Sequence, residues 1–272
     1  MTNPILANED KLILPLRYLV QSYAKHDGPT LPSLAVPIEL INYIVRTFDA
    51  NIAHIRTAQL VAVAFYFLLR VGEHTKPKRK TRTVQFRLKD VVFWKNKRKI
   101  DHKTASLKSL LACDGVTLRI ENQKNGVKNQ TIFHEANNEC SCPVKMLAKI
   151  VNDIRKHSSD PNTMLCAYKN GNGMGHVASR DISKTLKDAA KATDMQQRGF
   201  PISRMCPHSL RAGGAMALKL ANMDIVMIKK YGRWSSDTFL TYIHEQISSL
   251  GHGVSKAMAR PRDFFNIAGY EI

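Results

Sequence analysis

The chain has 272 residues, 44% of them hydrophobic and 7% aromatic, which suffices for one good-sized core with a small appendage and is too apolar for a disordered chain. No apolar run reaches the ~18–20 residues of a membrane span. Residues 1–14 lack the basic start and apolar stretch of a secretory signal, so the sequence reads as intracellular. Forty-one Lys and Arg against 22 Asp and Glu give a net charge of +19. An excess of that size predicts a polyanionic partner, most often nucleic acid. It is spread along the whole chain, whereas a membrane-surface helix would concentrate it.

Residues 11–24 have Leu12, Leu16, Leu19, Val20 and Tyr23 near one helical face. The turn-rich run from Asp27 to Pro37 marks a boundary. Pro37 can open a second helix with Ile38, Ile41, Val45 and Phe48 in one stripe. A third, with little that is polar in its second half, is expected from about His54 to Arg70, delivering Arg70 and Glu73 at its far end. After a basic loop, residues 84–94 alternate and favour a strand. Gly115–Gln123 forms a second strand, Asn125-Gly126 gives a hairpin turn, and Lys128–His134 returns. Residues 83–134 therefore form a small antiparallel sheet inserted between helices, with Lys124 at the hairpin tip. Helices follow from Pro143, from a cap at Ser179, from near His208, and from a cap at Asp224 to a left-handed end at Gly232. Ser235 or Ser236 can cap a last helix carrying Tyr242.

Five cysteines, at 113, 140, 142, 166 and 206, are odd in number and scattered, so no disulfide framework is expected. Cys140 and Cys142 make a C-x-C, a weak metal signal, and no metal or cofactor is predicted.

Four segments hold unusual groupings. LLRVGE, residues 68–73, ends an apolar helix in an arginine with a glutamate three residues on. Alone it is an Arg–Glu pair at a helix end, although an arginine so placed is part-buried and needs an anion, either Glu73 or a bound phosphate. PHSLRAGGA, residues 207–215, sets His208 and Arg211 one turn apart, followed by glycines that let the helix approach a neighbour. GRWSSDTFLTYIH carries Trp234 and Tyr242, and QKNG carries Lys124. Each has an ordinary reading as core or solvated surface.

In this order the segments resemble the tyrosine recombinase (phage integrase) family. Its pattern is Arg then Glu or Asp, a hairpin Lys, H-x-x-R, a Trp or His turn, and a Tyr nucleophile. Arg70, Glu73, Lys124, His208, Arg211, Trp234 and Tyr242 match these positions, over about residues 35 to 250. QKNGV, CPVKML, PHSLRAGGA and GRWSSDTFLTYIH look most like recombinases of eukaryotic mobile elements of the Crypton type. Trp234 and Tyr242 are eight residues apart, about one fewer than in many bacterial members. Tyr231 precedes the turn and Tyr270 lies in the tail, which leaves Tyr242 as the favoured nucleophile.

The resemblance implies an α+β fold, mainly helical with a small antiparallel sheet. Residues 1–30 would be the remnant of an N-terminal helical DNA-clamping domain, 31–250 the catalytic domain, and 251–272 a tail docking in trans. It implies a DNA recombinase or integrase working through a 3′-phosphotyrosine on Tyr242, without cofactor or metal. Arg70 and Arg211 would hold the phosphate, with Trp234 donating an N–H. His208 would donate to the phosphate or take the tyrosine proton, Lys124 would be the general acid, and Glu73 would orient the first arginine. Lys78, Arg79, Lys80, Arg82 and Arg233 are expected to meet the DNA backbone. The implied partners are double-stranded DNA and three further copies in a homo-tetramer on two duplexes, with a separate clamping domain in addition and no membrane. A eukaryotic source would place the protein in the nucleus. A catalytically retired DNA-binding descendant and a type IB topoisomerase-like nicking enzyme are the competing expectations.

Overall fold

The computed structural model describes residues 6–7, 11–12, 34–77, 83–122 and 128–234. The chain divides into two units, Met1–Pro32 and Ser33–Ile272. In the first, β1 (Leu6–Ala7) pairs antiparallel with β2 (Lys11–Leu12). Residues 11–12 are thus strand where a helix was expected, because Lys11 is drawn into a backbone ladder with Ala7. The remainder of that expected helix lies outside the described residues.

The second unit is helices around one core, with a four-stranded sheet inserted among them. Pro37 stands at the start of α1 (Ile38–Thr47), which buries Leu40, Ile41 and Ile44. The Asn51 side chain accepts the His54 amide at 3.0 Å and starts α2 (Ile52–Tyr66). Leu60 through Phe65 are all buried, so the second half of α2 is enclosed on every side, as its unbroken apolar run demands. A single-turn helix follows, α3 (Val71–His74).

The sheet begins later than the alternation suggests. Leu88–Asp90 forms a 3₁₀ turn, fixed by the Asp90 carboxylate accepting the Arg87 amide at 2.9 Å, and the strand β3 runs only over Val91–Lys95. It pairs with β4 (Arg98–Ile100) on one side and β5 (Gly115–Asn122) on the other, and β5 pairs with β6 (Lys128–Glu135). All pairs are antiparallel, in the order β4-β3-β5-β6. Phe93, Val116, Leu118, Ile120 and Ile132 supply its buried face. Between β4 and β5 sits α4 (Leu107–Leu111), which Ser106 caps by accepting the Ser109 amide.

Pro143 opens α5 (Pro143–Arg155), as its fixed φ and missing N–H allow. A hairpin of β7 (Ala167–Asn170) and β8 (Gly173–His176) comes next. The cap of α6 (Ser179–Ala192) is Ala178 and not Ser179: the Asp181 carboxylate takes the Ala178 amide at 2.7 Å, which makes a serine hydroxyl unnecessary there. Then come α7 (His208–Leu220) and α8 (Ile225–Gly232), the latter capped by Asp224 accepting the Val226 amide at 2.8 Å. A Cβ on Gly213 would strike the Val36 carbonyl and one on Gly214 the Phe65 carbonyl, so these two glycines let α7 lie against the segment before α1 and against the end of α2. Among the described residues no helix is long and apolar enough to cross a membrane.

Candidate active site

The site is built on the way α2 ends. It stops at Tyr66, four residues before Arg70. The Leu69 amide returns to the Ala64 carbonyl at 3.0 Å and the Leu68 amide to Phe65 at 3.4 Å, with Leu68 in the left-handed region at φ 49°. A side chain in that region costs about 1–2 kcal/mol. Burial of Leu68 against Ala215 and Ile228 offsets it. The turn aims the Leu68 carbonyl away from the helix and makes Arg70 the cap of α3. The Glu73 carboxylate accepts the Arg70 amide at 2.7 Å.

Three guanidiniums gather here. Arg211, from the first turn of α7, is 6% exposed. It donates to the Leu68 carbonyl at 2.6 Å and also to the Gly232 carbonyl. Arg233, just beyond α8, donates to both Glu73 oxygens, at 2.7 and 3.0 Å, and to the same Leu68 carbonyl at 3.0 Å. Arg70 lies further from Glu73, at 3.5 Å, reaches the Arg233 carbonyl at 3.4 Å, and keeps 23% of its side chain exposed. The Trp234 ring lies 4.2 Å from the Arg211 guanidinium carbon, a cation–π contact.

Among the described residues, then, three arginines surround one carboxylate, and three positive charges less one negative leave two over. Burial works against a charged Glu73, but Arg233's charge and hydrogen bonds, the Arg70 amide and the Arg211 charge outweigh it and hold the carboxyl below its usual range. Burial lowers the pKa of Arg70, with Glu73 opposing and Arg233 assisting. A cluster so charged at a partly open edge is suited to an anion with several oxygens, such as a phosphate.

Two histidines adjoin it. His208 opens α7 and is exposed. His74 is buried, and its Nδ1 lies 3.0 Å from the Arg70 carbonyl. Since a carbonyl only accepts, that nitrogen donates. Burial takes the His74 pKa from 6.5 to about 4, against the pull of the Arg70 carbonyl and Glu73 and with some help from His208. The ring is therefore neutral, and its buried Nε2 has no hydrogen-bond partner among the described residues.

Five of the sequence-predicted residues are thus in or beside one cluster: Arg70, Glu73, His208, Arg211 and Trp234. Arg233 differs from expectation. Expected on the DNA backbone, it is 4% exposed and bound to Glu73, because a carboxylate buried at this position must find a cation at close range. Glu73 accordingly holds Arg233 more tightly than it holds Arg70. Nor is Gly232 the left-handed residue: Arg233 is, at φ 56°. Gly232 stays helical, and the Trp234 ring lies where its Cβ would be. Tyr231 donates to the Phe133 carbonyl at 3.4 Å and packs against the His134 ring. Lys78, Arg79, Lys80, Arg82, Lys124, Tyr242 and the tail 251–272 lie outside the described residues.

Sequence reasoning missed the Leu68 carbonyl, the neutral His74 and the Glu73–Arg233 pair. Nothing in the sequence around Leu68 signals a left-handed turn. The pair joins residues 160 positions apart, a distance no local pattern spans.

No protein-family model matches the sequence, and no curated protein is similar to it. Among solved structures the chain is similar to the XerH site-specific recombinase bound to palindromic difH substrate in a post-cleavage complex. The TM-score is 0.54 at 15% identity, over 84% of this chain and 54% of that one. The pre-cleavage complex of XerH with difH substrate gives 0.52 at 15% identity, over 83% and 54%. XerA recombinase is similar at 18% identity over 87% of this chain and 67% of that one, with a TM-score of 0.49. The fold is the α+β catalytic fold of the tyrosine recombinases. The chain spans about half the length of the XerH chains that it matches.

Proposed function

We propose that this chain is the catalytic domain of a site-specific DNA recombinase or integrase that cuts and rejoins strands through a 3′-phosphotyrosine on Tyr242. The observation that carries the reading is the surplus of guanidinium charge, buried Arg211 and Arg233 and partly exposed Arg70, about the one described carboxylate Glu73, on a tyrosine recombinase fold. The XerH structures that share the fold are complexes with DNA substrate before and after cleavage, which supports a DNA duplex as the partner here.

In this reaction the Tyr242 hydroxyl oxygen bonds to the scissile phosphorus and the bond to the 5′-oxygen breaks. The tyrosine proton passes to His208, whose type titrates near neutral pH. Lys124 gives a proton to the departing 5′-oxygen. A 5′-hydroxyl later attacks the phosphotyrosine and reverses the exchange, so one phosphodiester is traded for another and no external energy source enters. Arg70 at its open edge and Arg211 behind it stabilise the charge that builds on the non-bridging oxygens, and the Trp234 N–H adds a neutral donor. Glu73 carries no proton in the scheme. The same reading takes Lys78, Arg79, Lys80 and Arg82 as backbone contacts, and residues 251–272 as a tail exchanged between subunits of a tetramer on two duplexes. It takes the chain as derived from a mobile element and, in a eukaryotic cell, at work in the nucleus.

A specific observation favours a second reading, a recombinase-derived protein that binds DNA without cutting it. Arg211 is 6% exposed and gives a donor to each of two main-chain carbonyls, a structural use of the residue. One experiment separates the two. Purified protein is incubated with supercoiled plasmid in EDTA and trapped with SDS. Relaxation with a covalent adduct that vanishes in Tyr242→Phe, persists in Tyr231→Phe and drops about 100-fold or more in Arg211→Lys supports the recombinase. DNA binding without an adduct in any variant supports the retired module. Relaxation by a monomer that never exchanges strands would mark a type IB topoisomerase-like enzyme.

A further inference from the structure

We infer that Arg233 is a positioning residue of this site, one that fixes the turn leading to the tyrosine-bearing segment onto the arginine cluster through Glu73. The inference rests on the recombinase reading above and adds to it a residue that was expected on the DNA-facing surface.

Three observations converge. First, the contacts of Arg233 are internal: both Glu73 oxygens at 2.7 and 3.0 Å and the Leu68 carbonyl at 3.0 Å, with 1% of its side chain exposed. A residue so placed cannot reach a duplex laid on the surface. Secondly, it adopts φ 56°, a conformation that glycine or asparagine would take more readily. An arginine held there in spite of the strain is held by its side chain. Thirdly, the main chain around it is gripped as well, since Arg211 donates to the Gly232 carbonyl and Arg70 to the Arg233 carbonyl. The turn at 232–234 thus meets the turn at 68–73 through three guanidiniums. Trp234 and, eight residues on, Tyr242 follow directly in the chain.

The pair also governs charge. Glu73 sits closer to Arg233 than to Arg70, whose approach is 3.5 Å. Arg233 therefore engages the carboxylate that would otherwise pair with Arg70, and Arg70 keeps its charge for the phosphate. A misplacement of about 1 Å in a reacting group can slow a reaction about 100-fold while ground-state affinity hardly changes. Loss of the latch should act in that way.

The experiment compares Arg233→Gly, Arg233→Lys and Glu73→Gln with the unaltered chain. Glycine suits the left-handed backbone and removes only the side chain, so it separates the latch from the turn. Single-turnover adduct formation on a nicked duplex and equilibrium affinity for the same duplex are measured in parallel, with hydrogen exchange at the amides of Arg233 and Trp234. The expected result is a cleavage rate down about 100-fold in Arg233→Gly, partly restored in Arg233→Lys and similarly reduced in Glu73→Gln. Duplex affinity should change less than about threefold, and the two amides should exchange faster while α2 and α5 stay protected. An undiminished cleavage rate in Arg233→Gly overturns the inference. So does a loss of affinity equal to the loss of rate, which would return Arg233 to the DNA-contacting surface. If the unaltered chain forms no adduct, the recombinase reading fails, and hydrogen exchange alone then decides the latch: unchanged exchange in Arg233→Gly refutes it.

Discussion

The two ends of α2 each bury an arginine, and they use it in opposite ways. Near the N-terminal end, Arg56 is fully buried and donates to Asp153 at 2.7 Å, to Gln59 at 3.2 Å, and to the carbonyls of Leu165 and Ala167. One cation meets one carboxylate, and each guanidinium nitrogen has an acceptor. Burial lowers the Arg56 pKa to about 10, against the pull of Asp153 and Cys166, so the residue remains charged at neutral pH. This end ties α2 to α5 and β7. Past the other end of α2, about 15 Å away along the helix, Arg70 and Arg233 share Glu73, Arg211 holds the neighbouring carbonyls, and Arg70 reaches solvent. Burial of an arginine therefore does not by itself mark a site. Three guanidiniums about one carboxylate among the described residues, with an open edge, do.

The sharpest test of this contrast is Arg70→Ala. Its contacts at 3.4 and 3.5 Å are long and its side chain is partly solvated, so stability should fall by no more than about 1 kcal/mol in denaturant titration. Strand cleavage should fall about 100- to 1000-fold. Equal losses in both would mean that Arg70 is structural like Arg56. The mirror experiment is Arg56→Met. Removing one partner of a buried pair costs about 3–5 kcal/mol. The lower end applies here, because Asp153 keeps 22% of its side chain in solvent. The folded fraction, measured by circular dichroism, should cleave DNA at the ordinary rate per molecule.

A smaller effect should appear with pH. His74 has a folded-state pKa of about 4 against an ordinary 6.5, so between those values the unfolded chain binds the proton and the folded chain does not. Stability therefore rises with pH through that window and is lost as pH falls. From pH 7 to pH 5 the loss due to His74 is about 2 kcal/mol. His74→Asn can keep a donor toward the Arg70 carbonyl and cannot titrate. Urea unfolding at the two pH values should show its acid loss smaller by about that amount, and an unchanged loss would show that His74 is not held neutral.

What the sequence made legible follows from how local each cause is. Pro143 at the start of α5, the Asp224 cap and the β5–β6 pairing depend on residues within a few positions, and all three are where they are expected. The sequence places the end of α2 at Arg70 because nothing between Tyr66 and Arg70 breaks a helix. The stop comes from Leu68 finding its pocket against Ala215 and Ile228, a tertiary event. Arg233 is expected on the DNA backbone because the basic residues of a chain with this charge excess are expected to face a polyanion, and its actual partner is 160 positions away. Strand β3 is shorter than the alternation over residues 84–94 suggests, because that alternation continues through a 3₁₀ turn that Asp90 imposes from its far side.

The left-handed Leu68 places opposing demands on a single codon. Its backbone would suit glycine, which relieves about 1–2 kcal/mol, while its side chain fills a slot whose loss costs about 2–5 kcal/mol. Neither pressure can be met without offending the other. Position 68 should therefore be frozen to single substitutions yet open to paired ones, a smaller residue there together with a larger one at Ala215. Lineages that drift at this turn would be recognised by that covariation.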